Sequence, residues 1–375
     1  MSSLLAITTE GSESAHAPEF RYLASHVLLQ ARQVFDQVTV AAPGVPEDTR
    51  RFDAVLLLGS SHVLIGRQSL AALRDRLSSG WCEARPHRLA DVGTRVPIYT
   101  LRGYERAEAD FLGREVPGAI PPATSSRLPV SLLTPDRFEH LRAEISLDRL
   151  LSDPQAGAGV AGEVGAAGLY HEFIDYYGEV RSDVLPFLPS GAREVLEVGC
   201  GRGATGKLIQ ERLGCRVTGV ELNPVVAREA ARHLHRVLQG DVQALAIEGR
   251  FDAVLALELV EHLVETESFL ARVRQLLAPG GRAIFSIPNV GHYAVVEDLI
   301  AGRWDYLPVG LLCYTHFRFF TRHTLADWLR RSGLERFELV SQRTELPEHP
   351  ERFTSHFETD LESLSTKGFY VLVEG

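Results

Sequence analysis

Val195-Leu196-Glu197-Val198-Gly199-Cys200-Gly201-Arg202-Gly203 is a short apolar run that breaks into a glycine at every second position. This is the pattern of a β-strand turning sharply into a helix, because glycine reaches φ > 0 without a Cβ clash and lets backbone lie close to whatever sits above the turn. Outward from it the alternation is regular. Strands are expected over 194–198, 216–221, 236–239, 251–257 and 282–287, and helices over 204–213, 224–235 and 267–277, with a turn at Pro279-Gly280-Gly281. Apolar strands separated by amphipathic helices predict an α/β fold with a doubly wound, Rossmann-like, mostly parallel sheet. Ligands of such sheets bind beyond the carboxyl ends of the strands, where the strand order reverses.

Toward the N-terminus the same alternation recurs on a smaller scale, with strands over 4–8, 37–41 and 53–59 and helices over 20–35 and 68–77. Pro-rich loops follow, then a helix around 136–151. These features predict a separate, smaller N-terminal α/β domain over 1–152. Residues 153–168 are nearly all Gly and Ala, the composition of a linker. The second domain is then expected over 169–375. Its opening stretch, 169–188, has helical periodicity that puts Tyr170, Phe173, Tyr176 and Tyr177 mostly on one face, as a cap would.

At 375 residues the chain is longer than one core usually organises, and its 45% hydrophobic, 23% charged composition is that of a globular protein. No run of about 18 apolar residues and no signal peptide is present, so a cytoplasmic protein without a membrane partner is expected. The four cysteines, Cys82, Cys200, Cys215 and Cys313, form no CxxC pair and suggest neither a disulfide framework nor a thiolate metal site. Charge is uneven. Residues 1–150 hold 18 Asp/Glu against 17 Lys/Arg, and the remainder holds 31 against 22. An acidic second half repels a phosphate backbone, which disfavours nucleic acid and favours a small-molecule acceptor.

A Gly-x-Gly turn alone does not choose between nucleotides, since dinucleotide sites use a similar one. The strand after it ends in Gly219-Val220-Glu221, where a carboxylate can accept both hydroxyls of a ribose; the next ends in Gln239-Gly240-Asp241-Val242, positioned for an adenine amino group. With all three motifs, residues 169–375 resemble the class I S-adenosylmethionine-dependent methyltransferases. The resemblance implies S-adenosyl-L-methionine as cofactor, held by Glu197, Gly199, Cys200, Gly201, Gly203, Glu221, Leu222, Gly240, Asp241, Val242, Glu258 and Tyr177. It places Glu197 near the ammonium of the methionine moiety. It also makes Gly368-Phe369-Tyr370-Val371-Leu372-Val373 the last, antiparallel strand. Ser286-Ile287-Pro288-Asn289-Val290-Gly291-His292 and the stretch Thr315-His316-Phe317-Arg318-Phe319-Phe320-Thr321 look like a bacterial subgroup associated with polysaccharide and natural-product biosynthesis. That likeness implies a sugar hydroxyl as acceptor.

Glu258-Leu259-Val260-Glu261-His262 follows the strand over 252–257, and i, i+3, i+4 spacing puts Glu258, Glu261 and His262 on one face if the segment is helical. With His316 they form a candidate site for a divalent cation (Mg, Mn or Zn), which would lower the pKa of an acceptor hydroxyl. The same ExxEH with a later His-x-Phe resembles the metal site of small-RNA 2′-O-methyltransferases, and ubiquinone-pathway O-methyltransferases carry a similar ExxEH. The competing reading is a metal-free site in which His316, His262 or His292 is the general base. Trp304, Asp305 and Tyr306 are candidates either for acceptor contact or for lid packing. The function expected is O-methylation of a small acceptor, with N- or C-methylation open. The N-terminal domain is open between nucleotide-sugar handling, docking and dimerisation as a homodimer. Its strand over 53–58 ends in Gly59-Ser60-Ser61-His62 and not in an Asp-x-Asp, which speaks against glycosyl transfer.

Overall fold

The computed structural model describes residues 2–8, 18–41, 48–58, 63–88, 99–114, 130–152, 164–173, 176–307, 309–354 and 360–375. The chain divides into two compact units, Met1–Phe173 and Ile174–Gly375.

The first unit is built on a seven-stranded sheet. Its strands are β1 (Ser3–Thr8), β2 (Gln37–Ala41), β3 (Ala54–Leu58), β4 (Val63–Ile65), β5 (Glu83–Arg88), β6 (Val130–Leu133) and β7 (Val164–Glu172), in the order β2-β1-β3-β6-β5-β7-β4. β1 pairs in parallel with β2 and β3, whereas β6 is antiparallel to both β3 and β5. β7 corrects two expectations. It occupies 164–168, expected as linker, and 169–172, expected as the start of a helical cap. Gly168 serves close packing: a Cβ there, at φ +78°, would lie 2.8 Å from the Ser69 Cβ, and Leu169 N donates to Ser69 Oγ at 2.8 Å. Small residues let the strand approach the helix Arg67–Ser78 more closely than side chains would allow. Residues 153–163 of the expected linker, and Gly59 to His62, lie outside the described residues. The unit contains a cavity of about 390 Å³ lined by residues including His26, Gln30, Arg67, Tyr104 and Glu108.

The second unit holds β8 (Glu194–Val198), β9 (Arg216–Glu221), β10 (Arg236–Gln239), β11 (Phe251–Leu257), β12 (Leu277–Pro288), β13 (Glu338–Arg343) and β14 (Thr366–Glu374), ordered β10-β9-β8-β11-β12-β14-β13. The first five run parallel and β14 is antiparallel to β12 and β13. Both faces are apolar. Leu196, Val198, Val254 and Phe285 pack on one side with Phe269 and Trp328, while Val195, Val217, Leu255 and Ile284 pack on the other with Ile209. β8 lies between β9 and β11, so the order reverses there, and in such sheets the crevice that takes a ligand lies at the carboxyl ends of the strands flanking the reversal. Among the described residues of the expected cap over 169–188, only Ser182–Phe187 is helical, as a 3₁₀ turn.

Candidate active site

The turn after β8 is shaped by three left-handed glycines, Gly199 (φ 75°), Gly201 (φ 54°) and Gly203 (φ 79°). Gly199 N and Cys200 N donate to Val220 O at 2.8 and 3.1 Å, and Arg202 N donates to Tyr177 O at 2.8 Å. A Cβ on Gly201 would stand 2.5 Å from that same Tyr177 oxygen. Glu221, at the end of β9, accepts from Gly201 N at 3.0 Å and from Asn223 N at 2.9 Å. Burial pushes its pKa up and these amides oppose the rise. Leu222 beside it is 67% exposed, an apolar face over the crevice end of the strand. Asp241 is exposed and accepts from Gln243 N at 2.8 Å, whereas Val242 is buried in the core.

Two expected residues turn away from the turn. The Cys200 thiol lies against Gly219, where a Cβ would meet Sγ at 2.6 Å, and burial raises its pKa. Glu197 points beneath the following helix, with Oε2 2.5 Å from where a Gly206 Cβ would be and without a hydrogen-bond partner. Its side chain follows the strand into the core beneath the turn. Burial, and secondarily Glu221, push its pKa to about 8 against the amide of Gly206. The folded state then keeps a proton that the unfolded chain loses above its ordinary 4.5, so stability from this group is present below pH 4.5 and is lost as pH rises toward 8. The change is about 1.4 kcal/mol per pH unit within that window. Glu197→Gln is expected to flatten the dependence in urea unfolding at pH 5, 6.5 and 8, and an unaltered slope would refute the assignment.

Glu258, Glu261 and His262 do not share a helical face. Val260–His262 is a single 3₁₀ turn, and Glu258 before it has φ 51°, the one positive φ at a non-glycine among the described residues. Glu258 is therefore aimed elsewhere: its carboxylate accepts from Ser286 Oγ at 3.3 Å and lies 3.6 Å from Arg181. Among the described residues the groups that converge are Glu261, His262 and His316, with potential ligand atoms all within 4.8 Å of one another. Glu261 is 1% exposed and neither oxygen has a hydrogen-bond partner. Burial, and then Glu258, hold its pKa well above the carboxylate range. His316 Nε2 is 3.9 Å from Glu261 Oε1, and burial plus the neighbouring His262 lower its pKa to about 3. His262 Nδ1 lies 3.2 Å from the Thr315 carbonyl, which can only accept; in the neutral ring Nδ1 carries the proton and Nε2 the lone pair. The distant His316 is brought in because Phe317 N donates to Glu261 O at 2.9 Å and Arg318 donates to the carbonyls of Leu263 and Val264.

Against this geometry the comparisons are specific. The family described as "Methyltransferase domain" matches residues 170–339. A ubiquinone biosynthesis O-methyltransferase of Nitrosococcus oceani is 33% identical over 187 residues, which cover 44% of this chain and 78% of that protein. The chain belongs to the S-adenosylmethionine-dependent methyltransferases. A second relative of this methyltransferase, of the same description from Xanthomonas axonopodis, is 33% identical over 158 residues and is covered over 64% of its length, just under two thirds. One from Roseobacter denitrificans is 35% identical over 171 residues, with 66% covered. Those names refer to ubiquinone biosynthesis and not to polysaccharides or natural products. No helix among the methyltransferase's described residues is long and apolar enough to cross a membrane.

His292 is fully buried: Nδ1 caps the helix Tyr293–Ile300 by accepting from Ala294 N at 3.3 Å, and Nε2 meets Thr344 Oγ1 at 3.0 Å. Its expected part as a general base is corrected, since both ring nitrogens are engaged away from the cluster. Trp304 and Tyr306 pack on Phe319, with ring centroids 5.2 and 6.5 Å away, and His316 stands 6.0 Å from the same ring. Sequence reasoning missed Arg181, and it gave Ser286 and Thr315 no role although both open the motifs quoted at 286–292 and 315–321. Nothing in local spacing marks them, because their partners come from other strands and loops.

Proposed function

We propose that this methyltransferase acts on a hydroxyl of a small acceptor, assisted by a divalent cation at Glu261, His262 and His316. Glu261 carries the reading. A buried polar group without a partner costs about 1–3 kcal/mol, and two such oxygens beside two imidazoles of low basicity make a site that a cation would satisfy. One carboxylate and two imidazoles suit Mg, Mn or Zn and leave positions open for acceptor oxygens. A cation bound there would lower the pKa of an acceptor hydroxyl and orient it.

The chain's own groups divide the rest of the work. Gly199, Gly201 and Gly203 keep side chains out of the crevice at the end of β8, where the methionine part of S-adenosylmethionine would lie. In this reading Glu221 takes the ribose hydroxyls, Leu222 one face of adenine, and the Gly240-Asp241-Val242 turn its edge. His262 and His316 remain neutral at physiological pH, because burial lowers both pKa values, so either can take a lone-pair role toward a cation or a proton. The O-methyltransferase names of the relatives support oxygen as the methylated atom. A sugar hydroxyl, expected from the likeness at 286–292 and 315–321, stands as a narrower reading without that support.

Screening phenolic, glycoside and sugar-nucleotide acceptors with labelled cofactor identifies the substrate class. With the acceptor so found, excess EDTA is expected to abolish transfer and added Mg²⁺ or Mn²⁺ to restore it. Cofactor affinity by calorimetry should change little, since its motifs lie on β8 and β9. Full turnover in EDTA would overturn the cation reading.

A further inference from the structure

Arg181 is a positive group whose charge Glu261 feels, and its environment is built in detail. Its side chain is 13% exposed. Nε and Nη2 donate to the two oxygens of Asp183 at 3.2 and 3.3 Å, Nη2 donates to Tyr370 Oη at 2.6 Å, and Nη1 reaches Ser286 Oγ at 3.5 Å. Its backbone N donates to Thr205 Oγ1 at 3.0 Å, in the first turn of the helix after the glycine loop. The guanidinium is thus pinned by groups from β12, β14 and the 3₁₀ turn after it. Asp183 takes its bidentate face, and Glu258 receives only the charge that is left, at 3.6 Å.

Glu258 is the more exposed partner by contrast. Its side chain is 43% exposed, its backbone sits at φ 51° and its amide is held by Ser286 Oγ at 3.0 Å. A glutamate in the left-handed region is held there by its surroundings, at a cost of order 1–2 kcal/mol that a flexible loop would relax. Only two residues separate it from Glu261, and Glu261 senses both the negative charge of Glu258 and the positive charge of Arg181.

We propose that Arg181 is a built-in counter-cation that competes with the divalent cation for Glu258, and so sets how tightly the Glu261, His262 and His316 cluster holds a metal. The inference rests on the cation reading above. With the cluster empty, Glu258 leans on Arg181 and two carboxylates three residues apart are tolerated. When a divalent cation arrives, the stronger charge draws Glu258 away from an arginine that keeps Asp183 and Tyr370 as partners. Arg181 stays charged at any accessible pH, so its competition is constant.

The test is Mn²⁺ binding to the full chain without acceptor, followed by electron paramagnetic resonance or calorimetry. Arg181→Gln is expected to tighten Mn²⁺ about tenfold, since a unit charge 3.6 Å from the Glu258 carboxylate is removed, while Arg181→Lys stays within about threefold of the parent. In a Glu258→Gln background the effect of Arg181→Gln should largely disappear. Its persistence there at full size would overturn the competition, leaving only a long-range field. Glu258→Gln alone, at a half-exposed position that leaves the core intact, should weaken Mn²⁺ about tenfold; it decides the matter if Arg181→Gln does not fold, and unchanged affinity would sink the proposal. If the unaltered protein binds no Mn²⁺ at millimolar concentration, the cation reading itself fails and the inference falls with it. Mn²⁺ bound with equal affinity by every variant removes the inference alone.

Discussion

Glu261→Ala is expected to lower kcat by about 10²- to 10⁴-fold, the range for losing a positioned group at the reacting oxygen, whether that group acts through a cation or on a proton. His316→Ala should fall in the same range, and the double variant should lose little more than either single one, since residues that act as a unit are not additive. The stability consequence runs the other way. Glu261 is buried with both oxygens unpartnered, and the folded state raises its pKa, so in cation-free protein its presence costs stability increasingly as pH rises above the ordinary 4.5. Glu261→Met, similar in volume and without the unpaired oxygens, is expected to raise the Tm of the cation-free protein at pH 8, by an amount equivalent to about 1–3 kcal/mol. Opposite signs for activity and stability are what a site kept for function produces. A Glu261→Met protein that melts earlier in the presence of EDTA, or a Glu261→Ala protein with unaltered kcat, would show that this carboxyl is structural.

The second large effect is at the glycine loop. Gly201→Val is expected to weaken S-adenosylmethionine binding by about 100-fold or more, equivalent to about 2.7 kcal/mol. Two independent costs add. The φ of 54° disfavours any β-branched residue, and the new Cβ would stand 2.5 Å from the Tyr177 oxygen, which already accepts from Arg202 N. Relieving the clash moves Tyr177 or the loop, and Gly201 N then leaves Glu221. Calorimetry on a variant whose circular dichroism matches the parent measures the effect. Binding within threefold of the parent would mean that the loop does not form the cofactor cradle.

How much was legible in the sequence divides by the range of the interaction responsible. The strands β8, β9 and β11 and the helix after the glycines follow from local apolar periodicity and from glycine's dihedral freedom, and they appear at their expected limits, whereas β12 starts already at Leu277 and takes in the expected Pro279-Gly280-Gly281 turn. Glu221 at a strand end was legible for the same reason. The candidate cation cluster was legible as residue types, since Glu261, His262 and His316 were all among the candidates, but its membership was not. Assigning Glu258 to it assumed helical dihedrals for five residues, and Ser286 and Arg181, from other parts of the chain, hold Glu258 elsewhere. The Gly/Ala stretch before Leu169 misled because a glycine-rich segment reads alike whether its small residues give freedom or closeness; the helix carrying Ser69 turns part of it into strand β7. His292 and Glu197 show the same limit, since a lone titratable side chain has no sequence mark for the direction it faces. By itself the sequence determined the class of fold, the strand ends that border the crevice and the chemistry available there. Tertiary structure alone decided which of those side chains meet, because hydrogen bonds and charge pairs between residues 28 to 189 positions apart leave no periodicity for local reading to detect.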